Sequence, residues 1–337
     1  MRVLITGGGG FVGSHLVDSQ LAQGRSVRTV DLNLDRLAHV EGQPNFQGVV
    51  GDITHEAIQK ALVEGVDVIY HLASAHLDVS LSDADYHRVN VEATGRLLAA
   101  AHKAGVKRFV HCSTNGVLGE LKSIPADETA LCHPTNIYEQ TKLEGERLAL
   151  KFGAETGLPV VVIRPAWVYG PRCPRTAKLI RAIGKGRFIM FGPGQTWRHP
   201  VYISDAARGL ELAAQAETAP GQIYFIAGEQ PVTIGELVSQ IGRLLNVKTP
   251  RLHLPLLLGK LAGYGAEMAF KPLGQSPPIS RRSIDFFLKD NAYDISKAKR
   301  ELGFQPQVDL QTGLTQTIEL LKEQSHGPLR WSAIMEQ

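Results

Sequence analysis

The feature that most constrains the fold is a glycine-rich turn near the start of the chain, Thr6–Gly13. Gly7, Gly10 and Gly13 follow the apolar run Arg2–Thr6 and open a segment with helical spacing of apolar residues. One glycine makes the tight turn, another lets backbone N–H groups approach a pyrophosphate, and the third lets the helix pack on the strand. The helix N-terminus adds partial positive charge. The turn therefore predicts a dinucleotide-binding strand–turn–helix unit.

An acidic residue at the end of the next predicted strand indicates which dinucleotide is bound. Asp31 follows Ser26–Val30 and lies 18 residues after Gly13. An acid at about this interval accepts hydrogen bonds from the ribose hydroxyls. Because a carboxylate repels a 2′-phosphate, Asp31 and the nearby Asp35 favour NAD over NADP, and Arg36 does not reverse that preference.

The first half of the chain alternates apolar β-branched runs with helical patterns, which is typical of βαβ units. Further strands are predicted at Phe46–Val50, Val66–Tyr70, Lys107–Cys112 and Val160–Ile163, and helices at 10–23, 56–64, 85–104 and 135–156. Such uniformly apolar strands are buried on both faces. The sequence therefore predicts an α/β fold, a Rossmann-type doubly wound parallel sheet with a smaller mixed α/β C-terminal substrate lobe.

Glycine and proline become denser after Pro165, and this change places the domain boundary. We expect an NAD-binding domain at 1–175, to which about 200–228 returns, and a substrate-binding lobe at 176–337 with a loose tail from about 326. The apolar stretch Leu252–Phe270 carries Pro255, Lys260 and Glu267, so it is too short and too charged to cross a membrane. It is interpreted either as core of the C-terminal lobe or as a wall for a hydrophobic substrate.

Composition excludes several classes of function. The formal net charge is +3 with acids and bases mixed along the chain, which argues against nucleic acid as a partner. Three cysteines without a paired spacing argue against a disulfide framework, and twelve histidines form no metal-binding motif. Because the first predicted strand begins at Arg2, we expect no signal peptide before it. We expect a cytoplasmic protein without a metal site.

A tyrosine and a lysine one helical turn apart are the candidate catalytic pair. Tyr138 and Lys142 share one face of the predicted helix 135–156 at positions i and i+4. A neighbouring ammonium favours the phenolate, the form that acts as a general base. Tyr293 and Lys297 repeat the spacing but lie far into the C-terminal lobe, so that tyrosine is interpreted as structural.

Further segments resemble one family in order along the chain. They are Gly51–Ile53, His71–Ser74, Asn90, Arg164–Pro171, His199–Asp205 and Asp294–Gly303. Together with the glycine turn and the tyrosine–lysine pair, they make the chain resemble an extended short-chain dehydrogenase/reductase of the NAD-dependent epimerase/dehydratase family over nearly its full length.

The resemblance implies roles for individual residues. Tyr138 would take the proton from a substrate hydroxyl, Lys142 would hold the nicotinamide ribose, and Thr114 would hydrogen-bond the same substrate oxygen. A hydride would pass between the carbinol carbon and the nicotinamide. The implied cofactor contacts are Gly7, Gly10, Phe11, Val12, Gly13, Asp31, Asp52, Ile53, Leu72, Ala73, Ser74, Asn90, Ser113, Tyr138, Lys142 and Pro165.

The sequence also departs from the family's pattern. Sugar-nucleotide dehydratases carry an Asp-Glu pair directly after the catalytic threonine, where this chain has Asn115 and Gly116. Neither residue can move the proton of an elimination, so a 4,6-dehydratase is not expected. Asn115 is instead a candidate substrate contact, and Leu118 replaces a tyrosine that is frequent in the family.

Two substrate classes and one non-catalytic alternative follow. Arg198 aligns with an arginine that contacts the diphosphate of nucleotide sugars in epimerases of the family, so a nucleotide-sugar epimerase is the preferred interpretation. The apolar stretch 252–270 and the segment 281–287 instead resemble the 3β-hydroxysteroid dehydrogenase-like branch, whose substrates are hydrophobic. The third alternative is an NAD-binding protein without turnover. By analogy with the family, we expect a homodimer formed through helices 85–104 and 135–156.

Overall fold

The computed structural model describes residues 1–76, 81–248, 253–270, 284 and 286–326. Its centre is a sheet of seven parallel strands in the order β3-β2-β1-β4-β5-β6-β11. These strands are β1 (Arg2–Thr6), β2 (Ser26–Asp31), β3 (Phe46–Val50), β4 (Val68–His71), β5 (Arg108–Cys112), β6 (Val160–Pro165) and β11 (Ile223–Ile226). The doubly wound parallel sheet predicted from the sequence is confirmed.

The strand order creates the crevice in which a ligand of such a sheet binds. The chain runs outward from β1 to β3, returns to the other side of β1 as β4, and continues outward. Leu4 of β1 therefore pairs with Arg28 on one side and with Ile69 on the other. Loops at the carboxyl ends of β1 and β4 diverge at this switch point and leave a crevice between them.

Helices cover both faces of the sheet. On one face, Leu4 and Ile69 pack with apolar side chains of α2 (Glu56–Val63), α4 (Ala93–Lys103) and α5 (Ile137–Thr156). The other face packs on α1 (Phe11–Ala22) and α7 (Ile203–Gln215). Burial of both faces explains why the strands read as continuous apolar runs.

The predicted helix 85–104 is interrupted in the structure. A capping box between Ser82 and Asp85 starts a short helix, α3 (Asp83–His87), and a single wide turn, Arg88–Glu92, separates it from α4. The periodicity of apolar residues does not reveal the extra residue in that turn. The wide turn carries Asn90, which is one of the predicted cofactor residues.

The other C-terminal elements are short strands and helices. They are β7 (Trp167–Tyr169), α6 (Pro174–Gly184), β8 (Met190–Phe191), β9 (Trp197–Arg198), β10 (Pro200–Tyr202), β12 (Val232–Thr233), α8 (Ile234–Leu244), β13 (His253–Leu254), α9 (Leu256–Phe270), α10 (Ser296–Leu302) and α11 (Leu310–His326). Many of them contribute to a further apolar cluster, separate from the two that cover the faces of the sheet. It includes Ile180, Phe191, Leu237 and Leu314. The division of the chain at 175 stays a prediction, and residues 327–337 of the predicted tail lie outside the described residues.

Helix α9 differs from the interpretation of this stretch as core. Leu257 and Leu261 are 66% and 60% exposed, and Tyr264 and Met268 are exposed to a similar degree. The helix turns glycines towards the protein and large apolar side chains away from it. Among the described helices, none is both long and apolar enough to cross a membrane.

Candidate active site

The glycine-rich turn requires its glycines for steric reasons. Gly7 has φ +75°, and a Cβ there would lie 2.7 Å from the backbone nitrogen of Ala73. A Cβ on Gly13 would lie 2.1 Å from the carbonyl oxygen of Gly7. The turn therefore packs directly on the loop after β4 and on its own helix, as a pyrophosphate-binding turn must.

Asp31, at the carboxyl end of β2, lies beside the turn that follows β3. One carboxylate oxygen of Asp31 accepts a hydrogen bond from the backbone of Gly9 at 2.9 Å, and its partial burial raises the pKa of the carboxyl group. The backbone nitrogen of Gly51 donates to the carbonyl of Asp31, so the turn that carries Asp52 and Ile53 lies beside it. The guanidinium of Arg36 donates to the carbonyl of Gly9. The residues predicted for the adenosine side thus lie together.

Asn90 connects the loop after β4 to helix α5. Its amide oxygen accepts hydrogen bonds from Ser74 Oγ and the Ala75 backbone, at 3.0 and 2.9 Å. Its amide nitrogen donates to Thr141 Oγ1 on α5 at 3.0 Å. The wide turn before α4 therefore fixes Leu72, Ala73 and Ser74 relative to α5.

Lys142 is held at the end of β5. Helix α5 begins where the Asn136 side chain caps it and ends at Gly157, which has φ +77°. The ammonium of Lys142 is buried and donates to the carbonyl oxygen of Cys112 at 2.6 Å. Burial lowers the pKa of this ammonium. Its position at the sheet edge is fixed by the last residue of β5.

Tyr138 lies one turn before Lys142 on the same face of α5. Its side chain is half-buried, and its ring meets the ring of His76 edge-on with centroids 4.8 Å apart. The ring nitrogen of His76 lies 3.0 Å from the guanidinium of Arg175. The structure therefore places a histidine beside the predicted proton-transfer group, a neighbour that no sequence spacing indicated.

The two hydroxyl residues after β5 have different surroundings. Ser113 is buried, and its Oγ has no hydrogen-bond partner among the described residues. A buried hydroxyl without a partner is costly, so a polar group of a ligand at this edge would stabilise it. Thr114 Oγ1 accepts from the backbone of Gly116 at 3.1 Å and caps the short helical turn Asn115–Leu118.

A third site group comes from the C-terminal part of the chain. The Asn115 amide nitrogen donates to the phenolic oxygen of Tyr293 at 2.7 Å, and that phenol donates to Asn291 Oδ1 at 2.8 Å. Tyr293 is buried against Phe225, and this burial raises its pKa. The sequence predicts a structural role for Tyr293 and gives no indication that it lies beside Asn115. The repeated Tyr-x-x-x-Lys spacing singled it out but gave no contact.

Arg198 is buried within the C-terminal elements. Its guanidinium donates to the backbone carbonyls of Trp197, Phe286 and Lys289, and it lies over the Phe286 ring. Burial lowers its pKa to about 10. The guanidinium predicted to contact a diphosphate is therefore directed at the main-chain oxygens of Trp197, Phe286 and Lys289.

Most of the predicted site residues lie at the carboxyl ends of the strands of the central sheet. Phe11 and Val12 form the first turn of α1, and Pro165 ends β6 opposite Ile226 of β11. Three features fit a bound dinucleotide: the glycine-rich turn, the Asp31 carboxylate and the buried Ser113 hydroxyl. Individual contacts to the cofactor stay predictions.

Comparison with known proteins agrees with this geometry. The model of the NAD dependent epimerase/dehydratase family matches residues 3–227, two-thirds of the chain. The chain belongs to this family. Its cofactor is accordingly NAD, and the family and cofactor predicted from the sequence are confirmed.

Relatives of this family member carry out different reactions. The chain is 30% identical over 335 residues to 3 beta-hydroxysteroid dehydrogenase/Delta 5-->4-isomerase of Mycobacterium tuberculosis, covering 94% of this chain and 89% of the relative. It is 32% identical to dTDP-glucose 4,6-dehydratase of Streptomyces niveus, with 96% and 93% covered. The solved structure of UDP-glucuronic acid 4-epimerase from Bacillus cereus with NAD has a TM-score of 0.79 at 27% identity, with 96% and 99% covered.

Proposed function

We propose that this chain oxidises and reduces a secondary alcohol or ketone carbon, with Tyr138 exchanging the proton. The observation that carries the proposal is the buried contact between the Lys142 ammonium and the Cys112 carbonyl. This contact holds the positive charge of Lys142 at the carboxyl end of β5, one helical turn from Tyr138. The chemistry that bound NAD supplies is acceptance and return of a hydride.

The chain's own groups provide orientation and proton transfer. The Lys142 ammonium favours the phenolate of Tyr138, which takes the proton of the substrate hydroxyl. Thr114 Oγ1 accepts from Gly116, and its own proton faces Asn115 Oδ1 over a long 3.4 Å. A substrate oxygen offers that proton a better acceptor. Thr114 and Tyr138 then hold one substrate oxygen between them.

We propose an apolar alcohol or ketone as the substrate class, in place of the nucleotide sugar that the sequence alone favoured. The main support is Arg198, whose guanidinium bonds to three main-chain carbonyls rather than standing open to a diphosphate. Phe286, which lies under that guanidinium, also contacts the ring of Trp167 at the start of β7, two residues after the end of β6. Aromatic side chains near the cofactor edge suit a hydrophobic substrate. The similarity to the mycobacterial hydroxysteroid dehydrogenase agrees with this class.

A nucleotide-sugar epimerase is the second candidate. The support is the likeness to the Bacillus cereus UDP-glucuronic acid 4-epimerase over nearly the whole length of both chains. In that case, Arg198 would have to exchange its carbonyl partners for a diphosphate. An epimerase would also keep its reduced cofactor bound, whereas a dehydrogenase would release it.

We further propose that the chain is not a 4,6-dehydratase, although it is 32% identical to one. Elimination requires an acid and a base directly after the catalytic threonine, and this chain has Asn115 and Gly116 there. The amide of Asn115 is bound to Tyr293, which is itself neutral because burial raises its pKa. These groups offer neither a carboxylic acid nor a carboxylate.

We also propose that the protein is a cytoplasmic homodimer. Cys112, Cys132 and Cys173 are all free thiols, which suits the reducing cytoplasm. A homodimer through α4 and α5 follows from the analogy with the family. Sedimentation at micromolar concentration should give twice the mass of one chain, and a single-chain mass would contradict the dimer.

A binding panel tests the substrate class. Thermal midpoints are measured with NAD and either steroid alcohols, long-chain secondary alcohols and ketones, or UDP, GDP, CDP and dTDP sugars. A ligand at 100 times its Kd adds about 2.7 kcal/mol of stability. We expect a shift with the apolar alcohols or ketones. A shift confined to the sugars of one nucleotide would overturn the apolar class and support the epimerase.

A further inference from the structure

Helix α9 presents a continuous apolar stripe to its surroundings. Leu257, Leu261, Tyr264 and Met268 recur at i, i+4, i+7 and i+11 and therefore lie along one face. They are 66%, 60%, 53% and 58% exposed, and Leu258 beside them is 51% exposed. Such a concentration of large exposed apolar side chains on one helix marks an interaction surface.

The opposite face of α9 shows that this orientation is built into the sequence. Gly259 and Gly263 are buried, and a Cβ on Gly259 would lie 2.8 Å from the Phe191 ring and 2.9 Å from Ile284. The helix thus packs closely on the protein through glycines, where a core helix would use its large side chains. Rotating the leucines inward would force large side chains against Phe191 and Ile284, which already lie close to the Gly259 backbone.

The charge of the surrounding sequence is strongly positive. Between Arg243 and Arg282 there are seven basic residues and one acidic residue, Glu267. The whole chain has 36 basic and 33 acidic residues, so the remainder carries more acids than bases. On α9 itself, Lys260 is exposed beside Leu257 and Tyr264. A long lysine side chain next to an apolar stripe can reach headgroups while its stem stays in apolar surroundings.

We propose that α9 docks the protein on the surface of an anionic phospholipid bilayer, with Leu257, Leu261, Tyr264 and Met268 entering the interface. The helix has 15 residues and is about 22 Å long, which is shorter than the roughly 30 Å hydrocarbon core. It therefore lies in the plane of the membrane. Buried apolar area and attraction of basic residues to anionic lipids are the two forces that hold such helices at the interface.

A second copy of the chain fits this surface less well. Two copies meeting through α9 would bring two strongly basic segments together, and like charges oppose that contact. A stable homodimer also buries about 800 Å² on each partner, more than one stripe of four or five side chains supplies. An anionic bilayer satisfies both the apolar stripe and the positive charge.

Vesicle co-sedimentation of the full-length protein tests this proposal independently of turnover. Vesicles of phosphatidylcholine alone are compared with vesicles containing about one-third phosphatidylglycerol. We expect binding to the anionic vesicles that weakens when salt is raised from about 0.1 M to about 0.5 M. The combined variant Leu257→Gln, Leu261→Gln, Met268→Gln should bind at least tenfold more weakly. The matched control is Leu131→Gln, at a residue 70% exposed in the segment before α5, and it should bind like wild type.

Several results would overturn the proposal. They are no binding to anionic vesicles, binding that the combined variant leaves unchanged, and a lipid-free dimer that the combined variant converts to monomer. A large fall in the lipid-free thermal midpoint of the single variant Leu257→Gln would show that the stripe is packed within the protein. NADH formation is measured separately, so a failure of membrane binding is distinct from a failure of the proposed activity.

Discussion

The phenolic oxygen of Tyr293 lies 2.7 Å from the amide nitrogen of Asn115. This contact joins the C-terminal part of the chain to the loop that follows β5 and carries Thr114. Because burial raises the pKa of Tyr293, the phenol is a neutral hydroxyl that positions Asn115 and is not a base. Two tyrosines with the same lysine spacing thus have different proposed roles.

Removing the Tyr293 hydroxyl should therefore affect positioning only. Tyr293→Phe removes two hydrogen bonds, one from the Asn115 amide and one to Asn291 Oδ1, which should lower the free energy of unfolding by about 2 kcal/mol. We expect kcat to fall several-fold with an unchanged dependence on pH. Urea unfolding and a pH profile of NADH formation measure both effects. A loss of activity as large as that of Tyr138→Phe would contradict the positioning role.

Asp31 should set the choice between NAD and NADP. Its carboxylate is fixed by the backbone of Gly9 at the end of β2, where it would repel a 2′-phosphate. Asp31→Ser should weaken the binding of NAD. The ratio of the Kd for NADP to the Kd for NAD should fall at least tenfold. Calorimetric titration of both cofactors measures the ratio. The same NAD preference in wild type and variant would place the discrimination elsewhere.

The ion pair between Glu146 and Arg164 should be important for stability. Both side chains are almost fully buried, and the guanidinium makes two hydrogen bonds to the carboxylate, linking α5 to β6. Glu146→Gln leaves a buried guanidinium without its counter-charge, which should cost about 3 kcal/mol. Urea unfolding measures this loss in the free energy of unfolding. The double replacement Glu146→Leu, Arg164→Met should lower the free energy of unfolding by less than Arg164→Met alone. An equal or greater loss of stability in the double variant would contradict this account.

Buried histidines should make the protein less stable in mild acid. Burial lowers the pKa of His71 to about 3 and of His199 to about 4. The backbone of Tyr293 donates to His199 Nδ1, so that nitrogen must be unprotonated in the folded state. Below about pH 6.5 the unfolded chain takes up protons that the folded chain does not.

The free energy of unfolding should therefore be highest above pH 6.5 and fall towards pH 4. Each such histidine contributes a loss of about 1.4 kcal/mol per pH unit in that window. Urea midpoints at pH 7, 6 and 5 measure the trend. A stability that stays constant between pH 7 and pH 5 would show that these histidines are accessible to protons when folded.

The sequence predicted the sheet and the NAD cofactor well, because both depend on local patterns. β1 and β3 have the predicted bounds, since an apolar run between turn residues defines a buried strand. The wide turn at Asn90 was missed because one extra residue barely disturbs helical periodicity. The surroundings of Tyr293 and Arg198 depend on contacts between residues distant in sequence, which no spacing encodes.

The orientation of α9 was also missed, for a different reason. An apolar stretch is expected to be buried, and only the packing of Gly259 against Phe191 and Ile284 shows which face is turned inward. The spacing of the glycines was present in the sequence. Without the neighbouring side chains, it does not distinguish a buried helix from one that exposes its leucines.

The most direct test of the central claim compares Tyr138→Phe with wild type. NADH formation is followed with the alcohols of the panel, and NAD binding is measured by calorimetric titration. Because a positioned acid–base group contributes about 10²- to 10⁴-fold, we expect a loss of that size in kcat with little change in NAD affinity. If no alcohol is turned over faster by wild type than by the variant, Tyr138 is not the proton-transfer group and the proposed activity is wrong.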